Sequence, residues 1–286
     1  ADRYGIRHHI RRVSREEFQA DLPKILEAMD QPTIDGVNTW FASKAVAELG
    51  LKVVVSGVGG DELFQGYESF EELPRLVARW CWLVRIPGML AAGRLLGRLQ
   101  SWRSGNARWR HAADCLQSMA GAWWLRRSLY APEDLPGLMG ADAAAQGVRG
   151  STVAQWIEAM SGSLPADHRL ALSQIESSTY LRNQLLRDSD WASMAHSVEL
   201  RTPLVDAHLL RQLGPLLAQF GSHPGKSLLA QCASPALPAA VTQRSKTGFG
   251  VPMNTWLGDI GLSGRGDQSR QWARRVVSEF VSKGRA

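Results

Sequence analysis

Cysteine is scarce in this sequence: Cys81, Cys115 and Cys232 in a chain of 286 residues. The count is odd and no CxxC pair occurs. That argues against a disulfide framework or a thiolate zinc site and fits a reducing cytoplasm. Long apolar runs are missing too. The most apolar stretch, Val77 to Leu99, is broken by Arg79, Arg85, Arg94, Arg98 and Pro87, so no membrane span is expected. No signal-peptide pattern, internal repeat or low-complexity tract stands out. The chain opens at Ala1 without a methionine and is expected to be part of a longer one.

What is present is ordinary for a globular protein: 44% hydrophobic and 21% charged residues, at a length that supports a sizeable core. The formal net charge is +6, and the excess is partly local. Ten arginines lie between Arg75 and Arg127, with six tryptophans among them. Arginine mixed with aromatics fits contact with nucleic acid or a membrane surface. It equally fits a helical subdomain with tryptophans inside and arginine stems covering the rim, which is the favoured reading.

The order of elements points to a parallel α/β unit. "IRHHIRRVS" reads as a short edge strand. Ser14 with Glu17 three residues later is a capping-box pattern opening a helix to about Met29, and Pro32 breaks it. A second helix runs from about Asn38 to Leu49, closed by Gly50. "LKVVVSG" then reads as a buried strand, with a helix starting at Asp61. From Glu71 to about Gly162 the pattern is helical, as in an insertion. A long helical segment follows from about His168 to Asp188, then the extended "VELRTPLVD", a helix near Leu209, a Gly-rich loop "QRSKTGFGVP" and a last helix from about Gln271 to Val281. The expected division is 1–70 as an α/β portion, 71–162 as the helical insertion, and 163–286 as helical core and C-terminal loop.

The stretch "VVVSGVGGDELFQGY", Val53 to Tyr67, carries the chemistry. Its β-branched run suits a strand covered on both faces, and such strands end at a crevice where ligands bind. Ser56, Gly57, Gly59 and Gly60 leave backbone N–H groups open to a nucleotide or phosphate. Asp61 and Glu62 sit at a helix start, where a carboxylate meets the dipole and can hold Mg²⁺ bridging phosphates. An ordinary strand-to-helix turn with Asp61 as N-cap explains the same residues, so both readings stand on these residues alone. A second Gly-rich stretch, "GSHPGKS" (Gly221 to Ser227), is not a Walker loop. Its first glycine would fall at Phe220 and no strand precedes it; Gly225 is expected to start a helix carrying Lys226, Leu228 and Leu229.

Four stretches in order resemble the asparagine synthetase family of glutamine-dependent amidotransferases. "VVVSGVGGDELFQGY" is similar to its SGxGxDExFxGY segment. "YLRNQLLRDSDWASMAHSVELRTPLVD", Tyr180 to Asp206, is similar to its core helix and ExRxPxxD segment. "QRSKTGFGVPMNTWL", Gln243 to Leu257, resembles its RxKxGFGxPxxxWL loop. "AMDQPTIDGVNTWFASKAVAELG" resembles the helix leading into the Gly-rich loop. The resemblance spans about Ala28 to Leu257. It implies an ATP pyrophosphatase fold (adenine nucleotide alpha hydrolase-like), incomplete at the N-terminus, with a large helical portion. It implies adenylation of an acceptor carboxylate by ATP with Mg²⁺, then attack by glutamine-derived ammonia, in the cytoplasm and in the service of asparagine or other amino-acid biosynthesis. Ser56, Gly57, Val58, Gly59 and Gly60 would face ATP, Asp61 would hold Mg²⁺, and Lys246 would stabilise the departing pyrophosphate. Glu62 is read as a helix-start charge and a structural support rather than a ligand. Glu199 and Arg201 are read as a buried ion pair supporting the sheet edge, with Asp190 a further support. His196 is read as packed.

Departures fall in the acceptor region. Val58 stands where the family usually has a glutamate that can act as a base, Trp191 where it usually has arginine, and Asn183 and Gln184 where acids are common. These changes resemble amidotransferases found with surface-polysaccharide synthesis, so the acceptor is expected to differ from aspartate. The family's glutaminase domain, with its N-terminal cysteine, and its SGGxDS loop do not occur in these residues. They are expected upstream in a parent chain, leaving this portion inactive alone. The resemblance allows a homodimer. Two other classes compete: a non-catalytic binding or regulatory module that kept the fold, and a nucleic-acid binder using the Arg/Trp region, for which no binding is expected.

Overall fold

The computed structural model describes residues 1–150, 152–219, 225–244, 256 and 268–284. The chain divides into two compact units. One is Ala1–Val55 with Arg187–Arg201 and Gly248–Val276; the other is Ser56–Leu186 with Thr202–Thr247 and Val277–Ala286. The architecture is α/β, mostly helical, with one small parallel sheet.

The first unit opens with helix α1 (Arg15–Ala28), whose N-cap Ser14 accepts the Glu17 N–H through its side chain. Phe18, Leu22, Ile25 and Leu26 recur at helical spacing and are buried, as the apolar pattern requires. Helix α2 (Val37–Glu48) buries Val37, Trp40 and Phe41, and the chain turns out of it through Gly50 at φ +75°. The expected edge strand before α1 does not form. Arg11 instead pairs with Glu17 at 2.5 Å and Glu48 at 2.6 Å, tying the segment to α1 and α2 through its side chain. Lys44 joins this cluster at 2.6 Å from Glu17 and 2.5 Å from Asp21.

Strand β1 (Val53–Val55) pairs in parallel with β2 (Glu199–Arg201), Val53 opposite Glu199 and Val55 opposite Arg201. The expectation of a strand covered on both faces is not met: Val55 is 69% exposed and Val53 is exposed as well. Two strands make up the sheet among the described residues, and nothing in that set covers this face. The Glu199–Arg201 pair exists at 2.8 Å, but both side chains are exposed, which corrects its reading as a buried support. Exposed pairs contribute little to stability. His196 packs edge-on against Trp40, with ring centroids 4.4 Å apart, and burial lowers its pKa.

The second unit begins at the Gly-rich loop and is helical. After the short α3 (Gly60–Leu63) come α4 (Ser69–Leu83) and α5 (Met89–Ser104), then α6 (Ala112–Cys115), α7 (Met119–Arg127), α8 (Pro136–Met139), α9 (Ala141–Gly150) and α10 (Val153–Ser161). Helix α11 (His168–Glu176) runs into a π-helical stretch, Ser177–Leu185; the next helix, α12 (Leu186–Met194), belongs from Arg187 on to the first unit. The single long helix read from sequence therefore has wide turns in its middle, a form that recurs at functional sites. After β2, a short 3₁₀ turn (Pro203–Val205) leads to α13 (Ala207–Gln219), and Gly225–Gln231 is helical as expected.

The core of this unit is built from Phe70, Leu73 and Val77 of α4, Met119 and Ala122 of α7, and Leu172 and Ile175 of α11. The tryptophans divide. Trp123 and Trp156 pack together at 5.5 Å, and the Trp80 indole N–H donates to the Ala113 carbonyl. Trp82, Trp102 and Trp109 are exposed, so the reading of tryptophans inside holds for only part of the set. All three cysteines are free thiols.

A buried ion pair ties α7 to α11. Arg127 donates two hydrogen bonds of 2.9 Å from one guanidinium nitrogen to the two carboxylate oxygens of Glu176, whose side chain is 0% exposed. The guanidinium also lies over the rings of Tyr180 at 3.9 Å and Tyr67 at 4.8 Å. Arg127→Ala strands a carboxylate in the core and is expected to cost about 3–5 kcal/mol. Adding Glu176→Gln should recover much of that loss, and chemical denaturation of the two variants checks it.

Candidate functional site

The Gly-rich loop starts at the carboxyl end of β1. The four small residues do not share one role. A Cβ on Gly57 would meet open space, so that position leaves the backbone approachable. Gly59 is required by packing: it has φ +91°, and a Cβ there would sit 2.6 Å from Val205 Cγ2 and 3.3 Å from the Leu204 carbonyl oxygen. Gly60 is close to Leu204 as well, at 3.1 Å. The "RTPLVD" turn thus buttresses the loop, bringing together two motifs that lie far apart in sequence. Ser56 Oγ accepts the Val58 N–H at 3.3 Å, and the Gly57 carbonyl accepts the Gly60 N–H at 3.2 Å, which curls the loop onto itself.

Asp61 is half-buried in the first turn of α3, and its carbonyl accepts the Gly66 N–H at 2.8 Å. The N-cap of α3 is Gly59 and makes no side-chain bond, so Asp61 is not the cap that the simple-turn reading required. No group of three acidic, His or Cys side chains able to hold a metal occurs among the described residues. A cation at Asp61 would be held by this carboxylate together with ligand oxygens, the usual arrangement for Mg²⁺ with phosphates.

Glu62 lies in the first turn of α3, the helix-start position expected for it, and its side chain points into the protein. It is 1% exposed and accepts a 2.6 Å hydrogen bond from the Tyr67 hydroxyl. Burial pushes its pKa up, with the Tyr67 bond opposing, and burial beside Glu62 pushes the Tyr67 hydroxyl up as well. The Ser173 hydroxyl donates to the Glu62 carbonyl at 2.8 Å, fastening α3 to α11. Burial likewise raises Glu176, against the pull of Arg127. Val58 is half-buried in the loop. Asp190 is exposed, and its carbonyl accepts the Ser193 hydroxyl. Lys246 lies outside the described residues; of Gln243–Leu257, only Gln243, Arg244 and Trp256 fall within them, and the Trp256 ring packs 5.3 Å from Phe18.

Sequence reasoning missed Asp188. It is buried, accepts from the Thr33 hydroxyl at 2.8 Å and from the Trp191 indole N–H at 3.0 Å, and is pushed up to about 6 by burial. Trp191, which stands where the family usually has arginine, lies against Gly36, and a Cβ on Gly36 would collide with its ring. The spacing Asp188 to Trp191 is a helical i, i+3 pair, a signal that was available in the sequence.

Gly59→Ala is expected to lose more than the about 1–2 kcal/mol of a left-handed non-glycine residue, because the collision with Val205 adds to it. Gly57→Ala should change stability by less than about 0.5 kcal/mol. Comparing the two unfolding midpoints checks the division of roles. Asp188 predicts a pH effect. An unfolded aspartic acid titrates near about 3.9 and the folded group near about 6, so stability falls as pH rises between them, by roughly 3 kcal/mol. Asp188→Asn should remove that slope and gain on the wild type from about pH 4 to pH 7, as read by denaturant unfolding at the two pH values; a constant difference would refute it.

The chain matches the family described as asparagine synthase over residues 1–283. A protein of Mycobacterium tuberculosis named "Putative asparagine synthetase [glutamine-hydrolyzing]" is 31% identical over 298 residues, covering 97% of this chain and 40% of that relative. The "Asparagine synthetase [glutamine-hydrolyzing] 1" of Bacillus subtilis is 26% identical over 296 residues, covering 96% of this chain and 41% of that relative. The chain thus spans about two-fifths of the length of these curated relatives. No solved structure matches it. A family match across nearly the whole chain, with motifs that the fold brings together, makes this chain a member of the asparagine synthase family.

Proposed function

We propose that this chain is the greater part of the synthetase portion of an ATP-dependent amidotransferase that activates an acceptor carboxylate by adenylation and completes the amide with glutamine-derived ammonia. The observation that carries the reading is the loop at the carboxyl end of β1. Gly59 and Gly60 are packed against Leu204 and Val205, Gly57 is open, and Asp61 follows in the first turn of the next helix. A rigid, small-residue loop beside a helix-start carboxylate suits a nucleotide with its cation.

In this reading Ser56, Gly57, Val58, Gly59 and Gly60 form the wall against ATP, and Asp61 holds Mg²⁺. The bound cation would neutralise charge on the phosphates and on the leaving pyrophosphate. Lys246 supplies a second positive charge to the same oxygens. The parallel sheet belongs to an ATP pyrophosphatase fold, and the exposed face at Val53 and Val55 is covered by the remainder of a longer parent chain, which also brings the glutaminase domain. Valine at position 58 takes no proton, so the acceptor is a carboxylate other than aspartate, activated without a base at this position.

The parent protein should catalyse Mg²⁺-dependent ATP–pyrophosphate exchange in the presence of its acceptor. Asp61→Asn and Lys246→Ala should each lower exchange by about 10²-fold or more, the effect of removing one electrostatic stabiliser. Near-normal exchange in either variant removes that residue from the site. Complete absence of exchange in the wild type, across a panel of carboxylates, favours a non-catalytic binding module. Asparagine formed from aspartate at ordinary rates overturns the inference from Val58.

A further inference from the structure

Helix α5 is packed inside out. Its inward face carries Gly93, Gly97 and Ser101, one small residue per turn. A Cβ on Gly97 would collide with the Trp109 carbonyl oxygen, and one on Gly93 with the Trp80 indole. Arg110 Nε donates to Ser101 Oγ at 3.2 Å on the same side. The turn Ala107–His111 therefore lies directly on the helix backbone. With about 100° between successive residues, the opposite face carries Leu95, Leu99 and Trp102. Trp102 is 82% exposed, Leu96 at the border of that face is 65% exposed, and Leu95 and Leu99 are each at least half exposed. A helix of a globular protein normally turns its leucines inward. A contiguous outward patch of this kind marks an interaction surface.

The sequence stretch that carries this face has charge of one sign. From Arg75 to Arg110 the sequence holds eight arginines and no aspartate, glutamate or lysine. Arg98 and Arg103 are exposed and fall on the two flanks of the Leu95–Leu99–Trp102 stripe. Arg94, nearer the packed side, is instead held by Asp114 at 2.7 Å. Exposed Trp82 and Ile86 belong to the same acid-free stretch.

We propose that this face rests on an anionic lipid surface. Leu95, Leu99 and Trp102 enter the boundary between headgroups and acyl chains, while Arg98 and Arg103 lie along the apolar face by their stems and reach lipid phosphates with their guanidinium groups. A nucleic acid would use the same arginines and stack its bases on aromatic rings, but two of the three residues of this stripe are leucines, which suit acyl chains better. No helix among the described residues is long and apolar enough to cross a membrane, so the contact is a lateral one. This inference is independent of the adenylation reading: exchange activity measured without lipid tests that one alone.

The test is sedimentation of the parent protein with vesicles. Vesicles containing phosphatidylglycerol should carry it down, and pure phosphatidylcholine vesicles should not. Raising the salt should weaken the binding. Leu99→Ser with Trp102→Ser should weaken it by at least about tenfold with an unchanged melting temperature, since both side chains point to solvent. Arg98→Gln and Arg103→Gln should each weaken it about fivefold. The proposal is overturned if the wild type ignores anionic vesicles or if the Leu99/Trp102 variant binds them as the wild type does. It is equally overturned if those substitutions abolish self-association or RNA binding while vesicle binding persists.

Discussion

Gly59 is the point where the Gly-rich loop and the Pro203–Val205 turn meet in one contact. Its left-handed backbone and the 2.6 Å space left to Val205 admit no side chain. The turn Pro203–Val205 follows directly from β2, and the Gly-rich loop follows directly from β1. Within the second unit, the absence of a Cβ at Gly59 lets these two segments close on each other. The loop conformation, the start of α3 and the placement of Asp61 in its first turn all depend on this approach.

Behind that loop lies a set of buried polar groups that the chemistry does not explain. Glu62 with Tyr67, and Glu176 with Arg127, are satisfied by hydrogen bonds, and the Arg127 guanidinium spans both tyrosine rings. Burial raises both carboxylic acids, so each is costly to ionise alone. The Ser173 bond to the Glu62 carbonyl links this set to the helix start that carries Asp61. Removing one partner from such a network costs more than trimming an apolar core. Their value here is positional: α3 is only four residues long and has no side-chain cap, so its neighbours hold it in place.

The helical region shows a different economy. Trp123 and Trp156, half-buried, pack against the core, while α5 turns small residues inward and large apolar ones outward. The close approach of the Trp109 carbonyl at Gly97 explains the inversion, since only a helix face without side chains allows backbone to lie on it. Of the arginines that looked like rim residues in the sequence, Arg98 and Arg103 flank an apolar stripe.

Local order was legible in the residues. The Ser14 cap, the buried spacing of α1, the glycine turn after α2 and the start of a helix at Gly60 to Asp61 follow from propensity and periodicity, which act within a few residues. The ordered motifs were enough to place the chain in the asparagine synthase family, which the match over residues 1–283 shows. Other features were decided only when distant segments met. Tertiary structure buried Glu62 as an acceptor for Tyr67 and left β1 and the Glu199–Arg201 pair exposed. It also set Asp188 beneath Thr33 and Trp191 and chose which tryptophans face solvent. A side chain's period tells which residues share a face, but burial and pKa depend on what is packed against that face, and this is fixed by contacts between residues far apart in the chain.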